Sequence, residues 1–220
     1  VDKTIAYIQV RGGSKGIPLK NINMFNGKPL VMWCAEEAAN AGCVDEVYVV
    51  TDYVTIYHTV EAWKQSDKIT CWMTRNISDT EFQEDVMLEV LKDVGFGHVI
   101  LLQATTPSTK SQDIDEAFNK YIDGSYDSLV SVTKQHKFFW NEDNGIATPV
   151  NYDPLNRPRR QDWDGILIEN GAFFITSKES LFKTKCRLSG KIGTYTMPKS
   201  SGFEIDDVLD WMIAENLIRG

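Results

Sequence analysis

Little in this chain points to a metal cluster, a membrane or a nucleic acid. Its 220 residues hold only four cysteines, Cys34, Cys43, Cys71 and Cys186, and three histidines, His58, His98 and His136. The cysteines are widely spaced, with no CxxC pair and no neighbouring histidine cluster, which argues against a zinc site and reads as buried free thiols. No apolar run approaches the roughly 20 residues of a membrane-spanning helix, and no signal peptide is visible, although the chain opens on Val1 rather than Met. The 23 Lys and Arg against 31 Asp and Glu leave a net charge of −8. Such a balance argues against general binding to nucleic acid or anionic membranes. Internal repeats, low-complexity segments and linkers are missing too. The expectation is therefore one domain over 1–220, large enough to bury about 70% of its unfolded surface.

Against that background, the opening of the chain stands out. Ile5-Ala6-Tyr7-Ile8-Gln9-Val10 has the character of a buried strand. It runs into Arg11-Gly12-Gly13-Ser14-Lys15-Gly16-Ile17-Pro18-Leu19-Lys20-Asn21, a loop with three glycines and three cations. Glycines let backbone N–H groups crowd around an anion, and the cations neutralise it. A nucleotide triphosphate is the natural guest, held where open α/β sheets bind ligands, at the carboxyl end of a strand. The loop is neither a Walker A sequence nor a G-x-G-x-x-G fingerprint. Gly12-Gly13-Ser14-Lys15-Gly16 does match the G-x-S-x-G elbow of hydrolases. That elbow must lead at once into a helix, and Pro18 pushes its predecessor out of helical geometry. It also needs a late acid followed by a histidine, and no histidine follows His136.

Strand-like and helix-like stretches then alternate, which predicts a mainly parallel sheet with helices on both faces. The strands are expected at Thr4–Val10, Glu46–Thr51, Ile69–Met73, His98–Gln103 and Ser128–Val132. Apolar spacing predicts helices over Leu30–Ala41, Val54–Gln65, Glu84–Asp93 and Ile114–Ile122, with a last one over Asp207–Leu217. Polar residues at three strand ends, around Arg11, Asp52 and Gln103, converge on one edge. From Lys134 to Gly165 the alternation breaks into a turn-rich excursion, too long for an ordinary connection, so that it is functional or an oligomer arm. It carries Phe138, Phe139, Trp140, Trp163 and Arg157-Pro158-Arg159-Arg160, which a solvated basic patch would explain equally well. Glu169–Ile175 resumes as a turn entering a strand. Near the end, alternation along Gly202-Phe203-Glu204-Ile205-Asp206-Asp207 puts Glu204 and Asp206 on one face, as two hard oxygen ligands for Mg²⁺ would be. Capping of the last helix by Asp206 or Asp207 is the plain alternative, and it leaves Glu204 unexplained.

Taken in order, these segments resemble the CMP-sialic acid synthetases (acylneuraminate cytidylyltransferases), over nearly the whole chain. Val10–Asn21 resembles the family's CTP loop, and Gln103-Ala104-Thr105-Thr106-Pro107 its second motif. Arg157–Gly165, Glu169-Asn170-Gly171 and Glu204-Ile205-Asp206 before Asp210-Trp211 resemble the animal branch. The resemblance implies a Rossmann-like nucleotidyltransferase with an extended dimerisation arm at 134–165, working as a homodimer or tetramer. It implies attack of a nine-carbon sugar acid's 2-hydroxyl on the α-phosphate of CTP, giving the CMP-sugar and pyrophosphate. N-acetylneuraminate is the first expected substrate and KDN the second. By the same resemblance Arg11, Lys20 and Asp206 are catalytic. Arg11, Gly12, Gly13, Ser14, Lys15, Lys20, Asn21 and Arg75 hold the nucleotide. Gln103, Thr105, Arg159, Arg160, Asn170 and Phe174 face the sugar acid, and Asp206 with Glu204 holds Mg²⁺.

The chain departs from the family pattern in places. Glu81-Phe82-Gln83 stands where many relatives carry small hydroxyl residues, which removes a serine and adds a negative charge near the phosphates. Phe174 replaces a tyrosine common in bacteria, and Ser108-Thr109-Lys110 replaces an arginine after Pro107. A cytidylyltransferase for Kdo or another nonulosonate, and a catalytically silent CTP-binding subunit, are the alternatives. The Asn76-Ile77-Ser78 sequon fits an insect-like secretory or Golgi enzyme, whereas Arg157–Arg160 resembles a nuclear-targeting cluster; location stays open between those and the cytosol.

Overall fold

The computed structural model describes residues 2–14, 16–75, 77–78 and 80–218. In chain order its strands are β1 (Thr4–Gln9), β2 (Met24–Phe25), β3 (Lys28–Pro29), β4 (Glu46–Thr51), β5 (Ile69–Met73), β6 (His98–Leu102), β7 (Ser128–Gln135), β8 (Trp140–Asp143), β9 (Ile146–Pro149), β10 (Ile166–Ser177) and β11 (Ile192–Met197). The helices are α1 (Leu30–Asn40), α2 (Val54–Trp63), α3 (Gln83–Leu91), α4 (Ser111–Asp123), α5 (Lys178–Thr184) and α6 (Val208–Ile218). Seven strands form one sheet in the order β11-β7-β10-β6-β1-β4-β5. β1 lies parallel to both β4 and β6, and β4 parallel to β5. The exception is β10, antiparallel to β6 and β7 on its two sides. Its run of buried residues is what a strand covered on both faces shows whichever way it points.

Strand alternation sorts the core into two layers. Ala6, Ile8, Val47, Val49, Ile100 and Leu102 face α1, α2 and α4. Ile5, Tyr7, Val50, Val99 and Leu101 face α3 and α5 on the other side. The five expected strands and five expected helices all form, two strands with the expected bounds and the rest with ends shifted by no more than three residues. The short α5 and β11 were not expected, nor were the two small hairpins. Cys34 and Cys71 are buried as expected, and burial pushes the Cys71 thiol up to about 12. Cys43 is only half-buried and Cys186 is exposed, which corrects the reading of all four as buried.

A third, smaller cluster fixes the end of the chain. Phe25, from the β2–β3 hairpin, is fully buried with Leu30, Ile205 and Ala214. Its ring meets Trp33 edge-on at 5.9 Å and Trp211 at 5.2 Å. Burying one such side chain contributes about 1.5–3 kcal/mol. This anchors α6, and with it the acidic segment at 204–207, against the start of the chain.

The excursion at 134–165 leaves the body as an arm. β8 and β9 pair only with each other, joined at Asn144 and Gly145, both in left-handed conformation (φ +50° and +79°). That is the geometry of a tight hairpin turn whose hand matches the strand twist. Phe138 stacks on Trp163 with centroids 4.9 Å apart, and the Arg157 guanidinium lies 4.3 Å over the Phe138 ring. Ile146, Val150 and Leu155 stay exposed. No helix among the described residues is long and apolar enough to cross a membrane.

Candidate active site

A cleft of about 410 Å³ opens at the carboxyl ends of β1, β5 and β6, lined by Gln9, Arg11, Ser14, Gly16, Lys20, Asn21, Ile77, Ser78, Glu81, Gln83, Gln103, Ala104, Thr105 and Asp206. The β1 loop reaches it through an unusual turn. Leu19 adopts φ +52° and ψ 30°, a left-handed conformation that is costly for a residue with a Cβ. The chain then enters a short 3₁₀ turn, Lys20–Ile22, that buries Lys20 and Asn21. The Lys20 ammonium donates to the Ile205 carbonyl at 2.5 Å and to Asp206 Oδ1 at 3.2 Å. Thr105 holds the same segment from the other side, its carbonyl accepting the Ile205 N–H at 2.9 Å. Gly16 completes the closure. A side chain there would run into the Asp206 carbonyl oxygen, so only glycine lets loop and acidic segment meet.

Asp206 itself is 76% exposed at its side chain and faces the cleft. Glu204 is not among the residues lining the cleft; its carboxylate lies over Gly171, whose φ of +63° and missing Cβ make room. Burial, and then the negative charge of Asp206, push the Glu204 carboxyl above the usual carboxylate range. Carboxylates are the donors a hard divalent cation takes, one or two at a time, sharing the rest of its shell with phosphate and water. No cluster of three His, Cys, Asp or Glu side chains suited to a metal occurs among the described residues.

The sequence-expected residues divide into those the fold gathers and those it does not. Arg11, Ser14, Lys20, Asn21, Gln103, Thr105 and Asp206 share the cleft. Lys15 lies outside the described residues, as does Asn76 of the sequon. Gly12 gives its N–H to Asp52 Oδ1 at 3.0 Å, so that amide is committed within the protein rather than offered to a phosphate. Gly13 is exposed beside the cleft without lining it. Arg75 is turned toward two carboxylates: Nη1 donates to Glu81 at 2.9 Å and Nε to Glu89 at 2.9 Å, with a second, shorter bond from Nη2 to Glu81. Asn170 is buried behind the cleft. Its amide donates to the Ser201 carbonyl at 3.0 Å and lies 3.1 Å from Met197 Sδ, which holds the turn leading to the acidic segment. Phe174 pairs with Leu101 of β6, two residues below Gln103, and so packs in the core. The Arg187 guanidinium covers it at 5.0 Å. Arg159 bonds Asp162 at 2.5 Å out on the arm, and Arg160 is exposed there.

Sequence reasoning passed over Gln9, which follows Ile5 and Tyr7 on one strand face and accepts the Tyr7 hydroxyl at 3.0 Å. It also treated Gln83 only as a departure from a pattern, whereas Gln83 Oε1 accepts from Gln103 Nε2 at 2.9 Å and sets that side chain over the cleft. The added charge of Glu81 does line the cleft, yet Arg75 neutralises it, and the hydrogen bonds from Arg75 hold its carboxyl below the ordinary range.

Comparison with known proteins bears on this geometry. The cytidylyltransferase family model matches residues 5–215. An N-acylneuraminate cytidylyltransferase from Oncorhynchus mykiss is 36% identical over 222 residues, covering 97% of this chain and 50% of that protein. One from Danio rerio is 35% identical with the same coverage, so the chain spans about half the length of these curated relatives. A pseudaminic acid cytidylyltransferase from Campylobacter jejuni is 28% identical, covering 99% of this chain and 97% of the relative. Among solved structures, a CMP:2-keto-3-deoxy-manno-octonic acid synthetase complexed with CTP shares the fold at 20% identity and a TM-score of 0.74, covering 99% and 98% of the two chains. The sheet order, the cleft at its carboxyl edge and the family match over almost the whole length agree: this chain belongs to the cytidylyltransferase family.

Proposed function

We propose that this protein activates an N-acylneuraminate by transferring CMP to it from CTP, with N-acetylneuraminate the first candidate and KDN the second. One observation carries the reading. The buried Lys20 ammonium reaches from the β1 loop to Ile205 and Asp206, so a cation from the anion-binding loop and the Asp206 carboxylate meet at one edge of the cleft. Nucleotidyl transfer needs such a meeting, since triphosphate charge must be matched by cations where it shifts during the reaction.

In the proposed reaction the 2-hydroxyl oxygen of the sugar acid bonds to the α-phosphorus, the bond to the β-phosphate oxygen breaks, pyrophosphate leaves and the hydroxyl proton passes to water. Arg11 and Lys20 bind the phosphate oxygens and stabilise the charge gathering on the leaving pyrophosphate. Gln103, fixed by Gln83, and Thr105 orient the sugar acid beside it. Asp206 with Glu204 would hold Mg²⁺, which when bound polarises the α-phosphate and lowers the pKa of a nearby hydroxyl. Asp206 lining the cleft beside Lys20, with its charge felt at Glu204, supports that donor set.

The arm fits a homodimer. Its Arg159 and Arg160 stand away from their own cleft, and its exposed Ile146, Val150 and Leu155 suit burial against a second copy. A guanidinium fork brought to the partner's cleft would meet the substrate carboxylate. The test is pyrophosphate release with CTP and Mg²⁺ across N-acetylneuraminate, KDN, pseudaminic acid and Kdo. Release with N-acetylneuraminate or KDN is expected. Release with pseudaminic acid or Kdo alone would move the substrate within the family, and CTP binding without release from any of them would mark a silent subunit.

A further inference from the structure

The cleft has two loop walls, one following β1 and one following β5, and β4 lies between those two strands in the sheet. While the sheet lasts, backbone bonds hold the three together. Val10 N–H donates to Val50 O at 2.8 Å on one side, and Thr74 N–H to Thr51 O at 2.8 Å on the other. Past Thr51 the ladder stops and the loops diverge. At that point Asp52 takes over with its side chain. Oδ1 accepts the Gly12 N–H at 3.0 Å and Oδ2 accepts the Ile77 N–H at 3.0 Å. Tyr53 adds to the hold, its ring lying where any Cβ on Gly12 would come within 2.7 Å of it.

A carboxylate here has a cost for the proposed ligand, because a negative charge stands one residue's breadth from a loop built for anions. Nothing in a binding role accounts for it; a carboxylate repels phosphate. A bridging role does account for it. A carboxylate is the side chain that accepts on both oxygens at once, and it bonds a charged acceptor to two backbone donors, a stronger kind of hydrogen bond than a neutral pair.

We infer that Asp52 is a positioning residue for the nucleotide: it ties the loop at Arg11 and Gly12 to the loop at Ile77 and Ser78 and sets the width of the cleft between them. This rests on reading the cleft as a CTP site. Asparagine is the sharp probe, since it keeps the shape yet offers one acceptor and turns a donor toward the other N–H.

The experiment compares the unaltered protein with Asp52→Asn and Asp52→Glu by amide hydrogen exchange without nucleotide, CTP titration, and the KM of the sugar acid. In D52N the Gly12 or Ile77 amide should exchange faster and CTP affinity should fall about tenfold, with the sugar-acid KM unchanged. D52E keeps both acceptors and should bind CTP more tightly than D52N. D52E also carries the comparison if D52N does not fold. Native exchange at both amides, native CTP affinity in D52N, or a sugar-acid KM that rises as much as CTP affinity falls would overturn the assignment, the last because it is what general loosening of the fold produces. If the unaltered protein bound no CTP, the nucleotide reading itself would fall and this role with it. A failure confined to the variants would touch Asp52 alone.

Discussion

The cleft and the arm are built from different kinds of contact. Around the cleft, side chains tie separate elements of the body together: Lys20 holds Ile205 and Asp206, Asp52 holds Gly12 and Ile77, and Gln83 holds Gln103. In the arm the partners belong to the excursion itself: Lys134 meets Asp164, Asn151 bonds Lys137 and Phe139, Arg159 bonds Asp162, and the aromatic rings stack on one another. Locally satisfied groups hold a shape but anchor it to nothing, and Ile146 and Leu155 remain 70% and 96% exposed. The cleft is thus tied to the body, whereas the arm leaves apolar side chains exposed among the described residues, the surface that the proposed second copy would cover.

The largest effect should come from breaking the cleft at its long-range hub. Lys20→Ala is expected to lower turnover by about 10²- to 10³-fold, the usual loss when one preorganised charge stabiliser is removed. Asp206→Ala should likewise abolish turnover with little loss of fold, because its side chain is exposed. Near-native rates in either variant, measured as pyrophosphate release, would remove these residues from the chemistry.

The next test asks whether the arm serves a neighbouring cleft. Arg160→Ala and Lys20→Ala chains should each be nearly inactive alone. Unfolded and refolded together, half the dimers would be mixed, each with one site drawing an intact cleft from one chain and an intact arm from the other. Activity should then recover to about a quarter of the native value, as two-fold symmetry dictates. No recovery from a mixture shown by mass spectrometry to contain mixed dimers would place Arg160 outside the partner's site.

The same contrast explains what could be read from sequence. Alternation in Ile5–Ile8 and Val47–Val50, and helical spacing in Leu30–Asn40, report burial, and burial is local enough to be legible. That the β1 loop and the end of β6 share one edge was legible, because strand–helix alternation brings strand carboxyl ends together. Asn170 and Phe174 are buried behind the cleft, because a residue next to a motif can face inward. Asn170 turns to Ser201, 31 residues on, and that choice is made by packing and not by neighbours. The direction of β10 and the role of Asp52 depend on which strands lie side by side, which no local pattern encodes.

Glu204 offers a smaller effect with a definite sign. Its folded-state pKa is raised, so the folded protein keeps this proton to a higher pH than the unfolded chain does. Stability therefore falls as pH rises from near the ordinary glutamate value through the raised one. Glu204→Gln should remove that fall and melt slightly higher than the native protein at neutral pH without added metal. Magnesium should raise the melting temperature of the native protein more than that of the variant. An equal response of the two to magnesium would show that Glu204 holds no metal.

The smallest expected change is at Glu81, where the cleft's own satisfaction works against the proposed ligand. Glu81 stands on the cleft wall and engages Arg75 through two hydrogen bonds, so a cation that could face the triphosphate is instead spent on a neighbouring carboxylate. Glu81→Gln removes one negative charge from the wall and weakens the hold on Arg75, while Glu89 still retains the guanidinium at Nε. The pair is near the surface, where such interactions are weak, so CTP affinity should improve only a few-fold. The gain should shrink with added salt, because screening at about 0.1 M already acts over roughly 10 Å. Titration of CTP into both proteins at low and high salt reads this directly. An affinity that drops on removing Glu81 would mean that the Arg75–Glu81 pair builds the wall of the cleft.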